Sequence, residues 1–374
     1  MKAKLESVLK KLALDKVESP KKVVVGLSGG VDSAVAALIL KAQGHEVIGL
    51  FMKNWQEESE YCSAEKDYQD VMRVCQQLGI VYYSIDLVQE YQQHVFDQFI
   101  ADYRRGLTPN PDLFCNREIK FKFFYDYAFN WGADYMATGH YCQVKQVDGQ
   151  FQLHKGVDPN KDQSYFLATI NPQVLSRVLF PLGGLLKTQV REIAKDFGLA
   201  NQDKKDSTGI CFIGERDFKE FLSQYIEKQK GPFQTLDGQV VGEHDGMCFY
   251  TLGQRKGLGL GGAGEPWFVV DKDPEKNIVY VERGDHPRLY RQMIGVKDFS
   301  WLTPNVQESS VMGKIRYRSA DQECCLQNFK SNSEFEVHFS QWQRAMSLGQ
   351  FFVAYQQTQC LGGGIISHLG APQC

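Results

Sequence analysis

The 374-residue chain lacks a surplus of positive charge, since 42 Lys and Arg residues stand against 45 Asp and Glu residues and give a net charge of −3. Binding of nucleic acid through bulk electrostatics is therefore not expected, although a local basic face is compatible with this balance. No apolar run approaches the length of a bilayer-spanning helix. The N-terminus, Met1–Glu6, has interspersed charges and no apolar core, so we expect no signal peptide, no membrane and a cytoplasmic location.

The ten cysteines form no C-x-x-C pair, so the spacings typical of zinc sites and dithiol redox sites are absent. Without a secretory signal we expect reduced thiols, most of them small apolar fillers of the core. We predict no metal site built from the side chains alone. The sequence also has no internal repeat and no low-complexity tract.

The most informative segment is a glycine turn between a strand and a helix. The apolar run Val23–Leu27 predicts a buried strand, Ser28–Ser33 reads SGGVDS, and Ala34–Leu40 predicts a helix. Two glycines allow several backbone N–H groups to point into one concavity, and the helix N-terminus adds partial positive charge. The pattern predicts a phosphate cradle that is not a Walker A loop, because no lysine lies in it. A tight turn without a ligand is the alternative.

Strand and helix patterns alternate from residue 21 to about residue 210, which predicts a parallel sheet with helices on both faces. After about residue 215, short apolar segments alternate with turn residues, among them Met247–Tyr250 and Gly313–Arg318, which indicates short strands. We therefore predict an α/β protein with an N-terminal parallel-sheet domain at 1–215, a small β-rich central domain at 216–288 and a C-terminal β-barrel at 289–374. Residues 1–20 are expected to form a short charged helix without an assigned function.

A second informative segment contains Cys115. Asn110 suits the N-cap of a helix and Pro111 its first position. Asp112 and Cys115 would then lie three residues apart on one face of the first turn. A thiol near a helix N-terminus ionises more easily, and a nearby carboxylate can shuttle a proton. A capped helix with a buried cysteine explains the same residues equally well.

A third segment contains Cys211, which lies between two glycines in the stretch Ser207–Gly214 and follows Lys204 and Lys205. Flexibility and local positive charge suit a thiolate that must move and react. Taken alone, the segment is explained more simply by a turn cysteine packed under a loop.

These segments occur together with others in one order along the chain. In sequence they are SGGVDS at 28–33, FMKNW at 51–55, PNPD-x-x-CN at 109–116, ATGHY at 137–141, NKDQSYFL at 160–167, KDSTGICFIGER at 205–216, YTLGQRKGLG at 250–259 and CLGGG at 360–364. SGGVDS resembles the PP-loop of ATP pyrophosphatases, and the whole series, from about residue 21 to about residue 366, resembles the tRNA-specific 2-thiouridylase (MnmA) family. At 342–350 the chain reads WQRAMSLGQ where the family commonly shows PQRAVTPGQ.

The resemblance implies roles for individual residues. It implies that Cys115 is the nucleophile, that Cys211 carries sulfur as a persulfide and that Asp112 lies beside the target base. It implies that the N-terminal PP-loop domain binds ATP, with Mg²⁺, at Gly26, Leu27, Ser28, Gly29, Gly30, Val31, Asp32, Ser33, Met52 and Gly139. It implies tRNA contacts at Asn110, Pro111, Asp112, His140, Lys161, Asp162, Gln163, Arg316, Tyr317 and Gln350.

The implied reaction replaces O2 of the wobble uridine, position 34 of the tRNA, by sulfur. ATP adenylates O2, which is otherwise a poor leaving group, and the persulfide sulfur then attacks C2 as AMP departs. Cys115 can resolve the Cys211 persulfide, either releasing sulfide or forming a Cys115–Cys211 disulfide. The implied partners are tRNAs of the Lys, Glu and Gln type and a sulfur-relay protein, and we expect a monomer.

Two other functions were weighed. Another PP-loop ligase, of the amidotransferase synthetase type, would use or depend on a glutaminase domain, and no region of that kind is apparent. A non-catalytic RNA-binding protein would not need an intact SGGVDS or two cysteine segments. For RNA binding by an acidic chain we expect local basic groups, with Arg316 and Arg318 gripping the RNA backbone and His140 and Lys161 near the anticodon end.

Overall fold

The computed structural model describes residues 1–56, 64–206, 217–304 and 309–373. The chain divides into two compact units. The first comprises Met1–Val95, Asp112–Glu215 and Thr358–Leu361, and the second comprises Phe96–Pro111, Arg216–Gln357 and Gly362–Cys374. The domain boundaries at 215 and 288 stay predictions.

Helices and strands alternate in the first half of the chain, and strands dominate the second half. The α-helices are α1 Lys2–Leu12, α2 Val31–Gln43, α3 Ala64–Leu78, α4 Val88–Tyr91, α5 Asp97–Arg104, α6 Pro111–Phe114, α7 Tyr125–Asn130, α8 Lys187–Phe197 and α9 Phe218–Leu222. Segments Gln92–Phe96 and Cys115–Phe124 are π-helical. The strands are β1 Lys22–Leu27, β2 Glu46–Lys53, β3 Val81–Asp86, β4 Tyr135–Ala137, β5 Cys142–Val147, β6 Gln150–Lys155, β7 Val178–Leu179, β8 Gly231–Gln234, β9 Val240–His244, β10 Trp267–Asp273, β11 Ile278–Arg283, β12 Tyr290–Trp301, β13 Ser310–Lys314, β14 Gln322–Ser331, β15 Glu334–Arg344, β16 Phe351–Gln356 and β17 Gln359–Leu369.

The first unit is built on a parallel sheet of strand order β3-β2-β1-β4-β7. Strand β1 lies between β2 and β4, and Val23, Val24 and Val25 in it are fully buried. Such a continuous apolar run is typical of a parallel strand covered on both faces. Helix α2 packs its small apolar residues into the same core. The predicted parallel-sheet domain is therefore confirmed.

The predicted charged helix near the N-terminus is α1, and it covers part of this core. Val8 and Leu9 are buried in the cluster that also contains residues of α2 and α8. The Lys4 ammonium donates to the carbonyl of Phe197, the last residue of α8, at 3.0 Å. The segment thus serves as packing for α2 and α8.

Three details of the fold differ from the sequence-based expectation. The first unit contains an antiparallel hairpin, β5–β6, which turns at Asp148 and Gly149 with positive φ at both residues. This Asp-Gly turn was a recognisable hairpin signal. The expected strand at Met247–Tyr250 is wrong, because Met247–Phe249 is a short 3₁₀ turn that follows Gly246 at φ 149°. The expected strand Gly313–Arg318 is only partly right, since β13 ends at Lys314.

The second unit contains two β-structures, as predicted. One is a sheet of order β10-β11-β8-β9. The other runs β12-β15-β14-β13-β16-β17, and β12 also pairs with β17, so these six strands close into a barrel within the described part of the chain. Among the described residues, no helix has both the length and the hydropathy that a bilayer span requires.

The glycine run near the C-terminus allows the barrel to close. Gly362 pairs with Trp301 across the β12–β17 seam and has φ 150°. A Cβ added to Gly362 would lie 2.2 Å from the carbonyl oxygen of Ser300. A Cβ on Gly364 would lie 2.9 Å from the carbonyl oxygen of Lys297. The two strands therefore approach more closely than side chains permit.

Gly362→Ala is expected to destabilise the barrel by about 1–3 kcal/mol, because the added methyl group overlaps a backbone oxygen that cannot move independently. Gly261→Ala is the matched control, since a Cβ there meets nothing within 4 Å. Thermal unfolding of both variants tests this, and equal midpoints for the two would contradict the account of the seam.

Candidate phosphate cradle and cysteine site

SGGVDS forms the predicted turn between β1 and α2. Gly29 adopts φ 76°, and Gly30 is extended at the N-cap of α2. The Ser28 N–H donates to Ser33 Oγ at 3.2 Å, and the Ser33 hydroxyl donates to the Gly30 carbonyl at 3.1 Å. The first N–H groups of a helix have no acceptor within it, so this 13-residue helix offers donors and partial positive charge to an anion.

Two close backbone approaches and one side-chain hydrogen bond fix the position of this turn. A Cβ on Gly29 would lie 2.6 Å from the carbonyl oxygen of Asp67 in α3, and a Cβ on Gly139 would lie 2.9 Å from the Ser33 nitrogen. The buried side chain of Asn201 donates to the Gly29 carbonyl at 2.8 Å. Its Oδ1 has no hydrogen-bond partner within the described ranges. A buried acceptor without a partner thus lies beside the turn.

Asp32 lies in the first turn of α2 and is held by two side chains that the sequence analysis missed. The Lys187 ammonium contacts Oδ1 and Oδ2 of Asp32 at 2.7 and 2.8 Å. The Tyr141 hydroxyl donates to Oδ1 of Asp32 at 2.8 Å. Burial, together with the Asp32 carboxylate, raises the pKa of Tyr141, so the phenol stays protonated. Asp32 therefore faces the cradle with a fixed orientation.

Lys187 also reaches Asp206, the last described residue before the Cys211 segment. Asp206 Oδ1 lies 2.8 Å from the Lys187 ammonium, and Arg191 pairs with the same oxygen. Asp206 Oδ2 accepts from Lys161 at 2.7 Å. Burial opposes ionisation of Asp206, but the hydrogen bonds from Lys161 and Lys187 outweigh it and hold its pKa well below the usual range. Asp206 is thus an ionised anchor beside the cradle.

The sequence-based expectation that Lys204 adds positive charge near Cys211 needs correction. The Lys204 ammonium pairs with Asp67 at 2.6 Å and with Asp70 at 2.7 Å, both on α3. Burial disfavours its charged form, but the hydrogen bonds that it donates to these two carboxylates prevail and raise its pKa. Lys204 is therefore a neutralised anchor, whereas Lys205 is exposed. Cys211 itself lies outside the described residues.

Helix α6 begins at Pro111, as the sequence predicted, and continues directly into the π-helical segment that opens at Cys115. The Cys115 thiol is buried. Burial raises the pKa of Asp112, and the positive charge of Lys120 opposes that shift. A carboxyl group with a raised pKa suits proton transfer near neutral pH. π-Helical turns are frequent at functional sites, whereas the burial of the thiol also fits simple packing, so the reactive role of Cys115 stays a prediction.

Asn116, next to Cys115, is fully buried. Its Nδ2 donates to the Phe166 carbonyl at 3.1 Å, which ties the π-helix to the segment that contains Lys161 and Gln163. Its Oδ1 has no hydrogen-bond partner within the described ranges. The amide thus orients the residue beside the candidate nucleophile.

The candidate tRNA contacts of the first unit are mostly engaged within the protein. His140 is buried against Phe121 and Phe180, and its Nδ1 lies 2.7 Å from the Thr138 hydroxyl. Burial, assisted by Lys120, lowers its pKa well below the ordinary value, so the imidazole is neutral. His140 therefore brings no positive charge to the site, and its predicted position near the anticodon end of tRNA stays a prediction.

The neighbouring candidates shape the loop between β6 and Ser164. The buried Asp162 carboxylate accepts from the N–H groups of Gly156 and Ser164 at 3.0 and 3.1 Å. Gln163 Oε1 accepts from the Tyr141 N–H at 3.0 Å, beside the phenol that holds Asp32. Direct contact of these residues with tRNA stays a prediction.

Met52, a candidate ATP contact, is half-buried at the carboxyl edge of the sheet. It follows Phe51, which pairs with Leu27 at the end of β1.

In the second unit the candidates also have internal partners. The Arg316 guanidinium donates to the Ala345 carbonyl, and Gln350 Nε2 donates to the Thr108 carbonyl at 2.7 Å. Gln350 thus braces the chain just before Asn110 and Pro111. Tyr317 is half-buried, and Arg318 is exposed. The expected RNA contacts of these residues stay predictions, and Arg318 is the better placed of the two arginines.

Among the described residues, no group of three or more His, Cys, Asp or Glu side chains is placed to hold a metal ion. Mg²⁺ bound with a nucleotide needs only one or two carboxylates, because phosphate oxygens and water complete its shell. Asp32 in the first turn of α2 offers one such carboxylate, which would have to release the Lys187 ammonium that contacts both of its oxygens.

Comparison with known proteins agrees with this architecture. Three family models match consecutive ranges, described as a tRNA methyl transferase HUP domain at 21–215, a tRNA methyl transferase PRC-barrel domain at 219–283 and an aminomethyltransferase beta-barrel domain at 291–366. The tRNA-specific 2-thiouridylase MnmA of Halalkalibacterium halodurans is 55% identical over 353 residues, covering 93% of this chain and 95% of that protein. The protein of the same name from Bacillus subtilis is 51% identical and covers 94% of this chain and 96% of its own length. The chain belongs to the tRNA-specific 2-thiouridylase MnmA family. A solved U34-tRNA thiolase NcsA from Methanococcus maripaludis is 18% identical, covering 60% of this chain and 69% of its own, with a TM-score of 0.35.

The two glycines of the cradle are expected to respond differently to substitution. Gly29→Ala should cost about 1–3 kcal/mol of stability, because its φ is positive and its methyl group would meet the Asp67 backbone. Gly30→Ala should stay within about 0.5 kcal/mol of the parent, because its φ of −78° suits alanine and its Cβ meets only Ser28 Oγ at 3.4 Å. Denaturant unfolding of both variants measures this, and a larger loss for Gly30→Ala would contradict the geometry.

Proposed function

We propose that this protein is an ATP-dependent tRNA 2-thiouridine synthase. It adenylates O2 of the wobble uridine and replaces it with sulfur from a cysteine persulfide, giving 2-thiouridine, AMP and pyrophosphate. The observation that carries the proposal is the cradle at the start of α2, present in a chain that aligns with 2-thiouridylases over 93% of its length.

The cradle residues would hold the ATP phosphates. The N–H groups at the start of α2 and the Ser28 hydroxyl would be the donors, the Ser33 hydroxyl would join them on leaving the Gly30 carbonyl, and Asp32 would hold Mg²⁺. The cation would neutralise charge on the pyrophosphate leaving group. Gly26, Leu27, Met52 and Gly139 border the same edge of the sheet and would complete the nucleotide site.

The two cysteines divide the sulfur chemistry. The terminal sulfur of a Cys211 persulfide attacks C2 of the adenylated uridine, and AMP leaves with the former O2. The Cys115 thiolate then attacks the Cys211 sulfur, the S–S bond breaks, and the released electron pair stays on the sulfur bound to the base. This leaves a Cys115–Cys211 disulfide, which an external thiol must reduce. In the other route Cys115 first releases sulfide, which attacks C2. Asp112, with its raised pKa, is the proton carrier.

The partners follow from this reaction. We propose tRNAs of the Lys, Glu and Gln type as substrates and a persulfide-carrying sulfur-relay protein as the donor to Cys211. The protein would act as a monomer in the cytoplasm. Family membership supports tRNA as the substrate class, and the remaining assignments extend the family resemblance.

Cys211→Ser should abolish 2-thiouridine formation and leave tRNA-dependent release of pyrophosphate intact, because the serine hydroxyl cannot carry sulfane sulfur. Cys325→Ser is the control, since Cys325 lies half-buried in β14 of the barrel. Mass spectrometry of tRNA nucleosides after incubation with ATP, Mg²⁺ and a sulfur source measures the product. Thiolation by Cys211→Ser near the parent rate would exclude the persulfide role, and pyrophosphate release without tRNA would point to another PP-loop ligase.

Arg318→Ala should weaken tRNA binding and reduce the slope of log affinity against log salt by about one, the value for one lost phosphate contact. Its guanidinium is exposed, whereas that of Arg316 is bonded to Ala345. Lys330→Ala is the control, because this exposed lysine of the same barrel already pairs with Glu334 at 3.0 Å. Equal slopes for Arg318→Ala and Lys330→Ala would mean that Arg318 does not contact RNA.

A further inference from the structure

One lysine is shared between the phosphate cradle and the residue that precedes the Cys211 segment. Lys187, the first residue of α8, contacts both oxygens of Asp32 and also lies 2.8 Å from Asp206 Oδ1. Its side chain is only 12% exposed, so water competes little for these contacts. All three residues belong to the first unit.

The charges around this lysine favour an exchange of partners. Two carboxylates, Asp32 and Asp206, face three cations, Lys187, Lys161 and Arg191. Asp206 is held in its ionised form by this group. It can therefore accept more of the Lys187 charge without any change of protonation.

Asp32 is the residue of this cluster that a bound nucleotide and its cation would contact. It lies in the first turn of α2, at the cradle, and a divalent cation on the phosphates would bind its carboxylate. A cation there repels the Lys187 ammonium, which then depends for its pairing in a largely buried place on Asp206, the carboxylate that it already contacts at 2.8 Å. The Tyr141 hydroxyl stays on Asp32 Oδ1, so the carboxylate keeps its orientation while the lysine leaves.

We propose that Lys187 leaves Asp32 and pairs with Asp206 alone when nucleotide and its cation occupy the cradle, and that this exchange of partners couples nucleotide binding to the segment 199–206, which ends at Asp206. The inference rests on the proposed binding of ATP at the cradle. Lys187 is in this scheme a positioning residue, which acts through two carboxylates. Asp206 matters for ATP because it receives the displaced lysine.

A fixed structural cross-link would behave differently. In that case removal of Asp206 would affect ATP binding through general loosening, and the effect would be the same with or without Lys187. In the exchange, Asp206→Asn weakens ATP binding only while Lys187 is present, since only then does an ammonium need the second acceptor. The two accounts differ in additivity, which a double-mutant cycle measures.

The test is calorimetric titration of the full chain with ATP and Mg²⁺, without tRNA, for the parent, Asp206→Asn, Lys187→Met and the double variant. Asp206→Asn should bind ATP about tenfold more weakly than the parent, a size usual for coupling between sites. In the Lys187→Met background, the same substitution should change the affinity by less than about twofold. Lys11→Met is the matched control, because Lys11 also pairs with two carboxylates of α8, Glu192 and Asp196, and should not change ATP affinity.

Additive effects, or an unchanged affinity for Asp206→Asn, would overturn the exchange. Absence of ATP binding by the parent would instead overturn the proposed function itself. Should Asp206→Asn fail to fold, Asp206→Glu keeps the acceptor and should retain ATP affinity. Hydrogen exchange of the peptide spanning residues 199–206 should then change on addition of ATP in the parent and not in Lys187→Met. An identical response in both would also overturn the exchange.

Discussion

The contact of bare backbone at the start of α2 is the constraint on which the first unit depends. Gly29 abuts the backbone of α3, and Gly139 abuts the first turn of α2. Strands β1 and β4 thereby deliver two glycines to one point at the carboxyl edge of the parallel sheet, which is where ligands of such sheets bind. Helix α3 could not close over the turn, nor the segment after β4 approach it, if either residue carried a side chain.

Local patterns in the sequence predicted what local physics determines. The apolar run of β1, the glycine turn and the helix after it are contiguous, and α6 begins at Pro111 because proline suits a first helical position. The parallel sheet and the barrel followed from the alternation of elements. Lys187, Tyr141 and Asn201 were missed because each reaches the cradle across more than a hundred residues of chain.

One signal for Lys187 was nevertheless present in the sequence. A lysine at the first position of a helix faces the positive end of the helix dipole, where acidic residues are favoured. A lysine at this unfavourable position indicates a carboxylate partner elsewhere in the chain. For Lys187 the partners are Asp32 and Asp206. The identity of the partners could not be read from the sequence, because it depends on how α2 and α8 pack in the core.

The distribution of charge shows why basic patches in a sequence overstate the surface available to a polyanion. Lys161 and Lys204 are bound to carboxylates, Arg316 to a carbonyl, and His140 is buried and neutral. Lys161 and Lys204 hold segments near the cradle in place, whereas Arg316 holds the chain at Ala345 in the second unit. A patch of Lys, Arg and His in the sequence is therefore no measure of the charge free to meet a polyanion, and exposed residues such as Lys205 and Arg318 are the better candidates for phosphate contact.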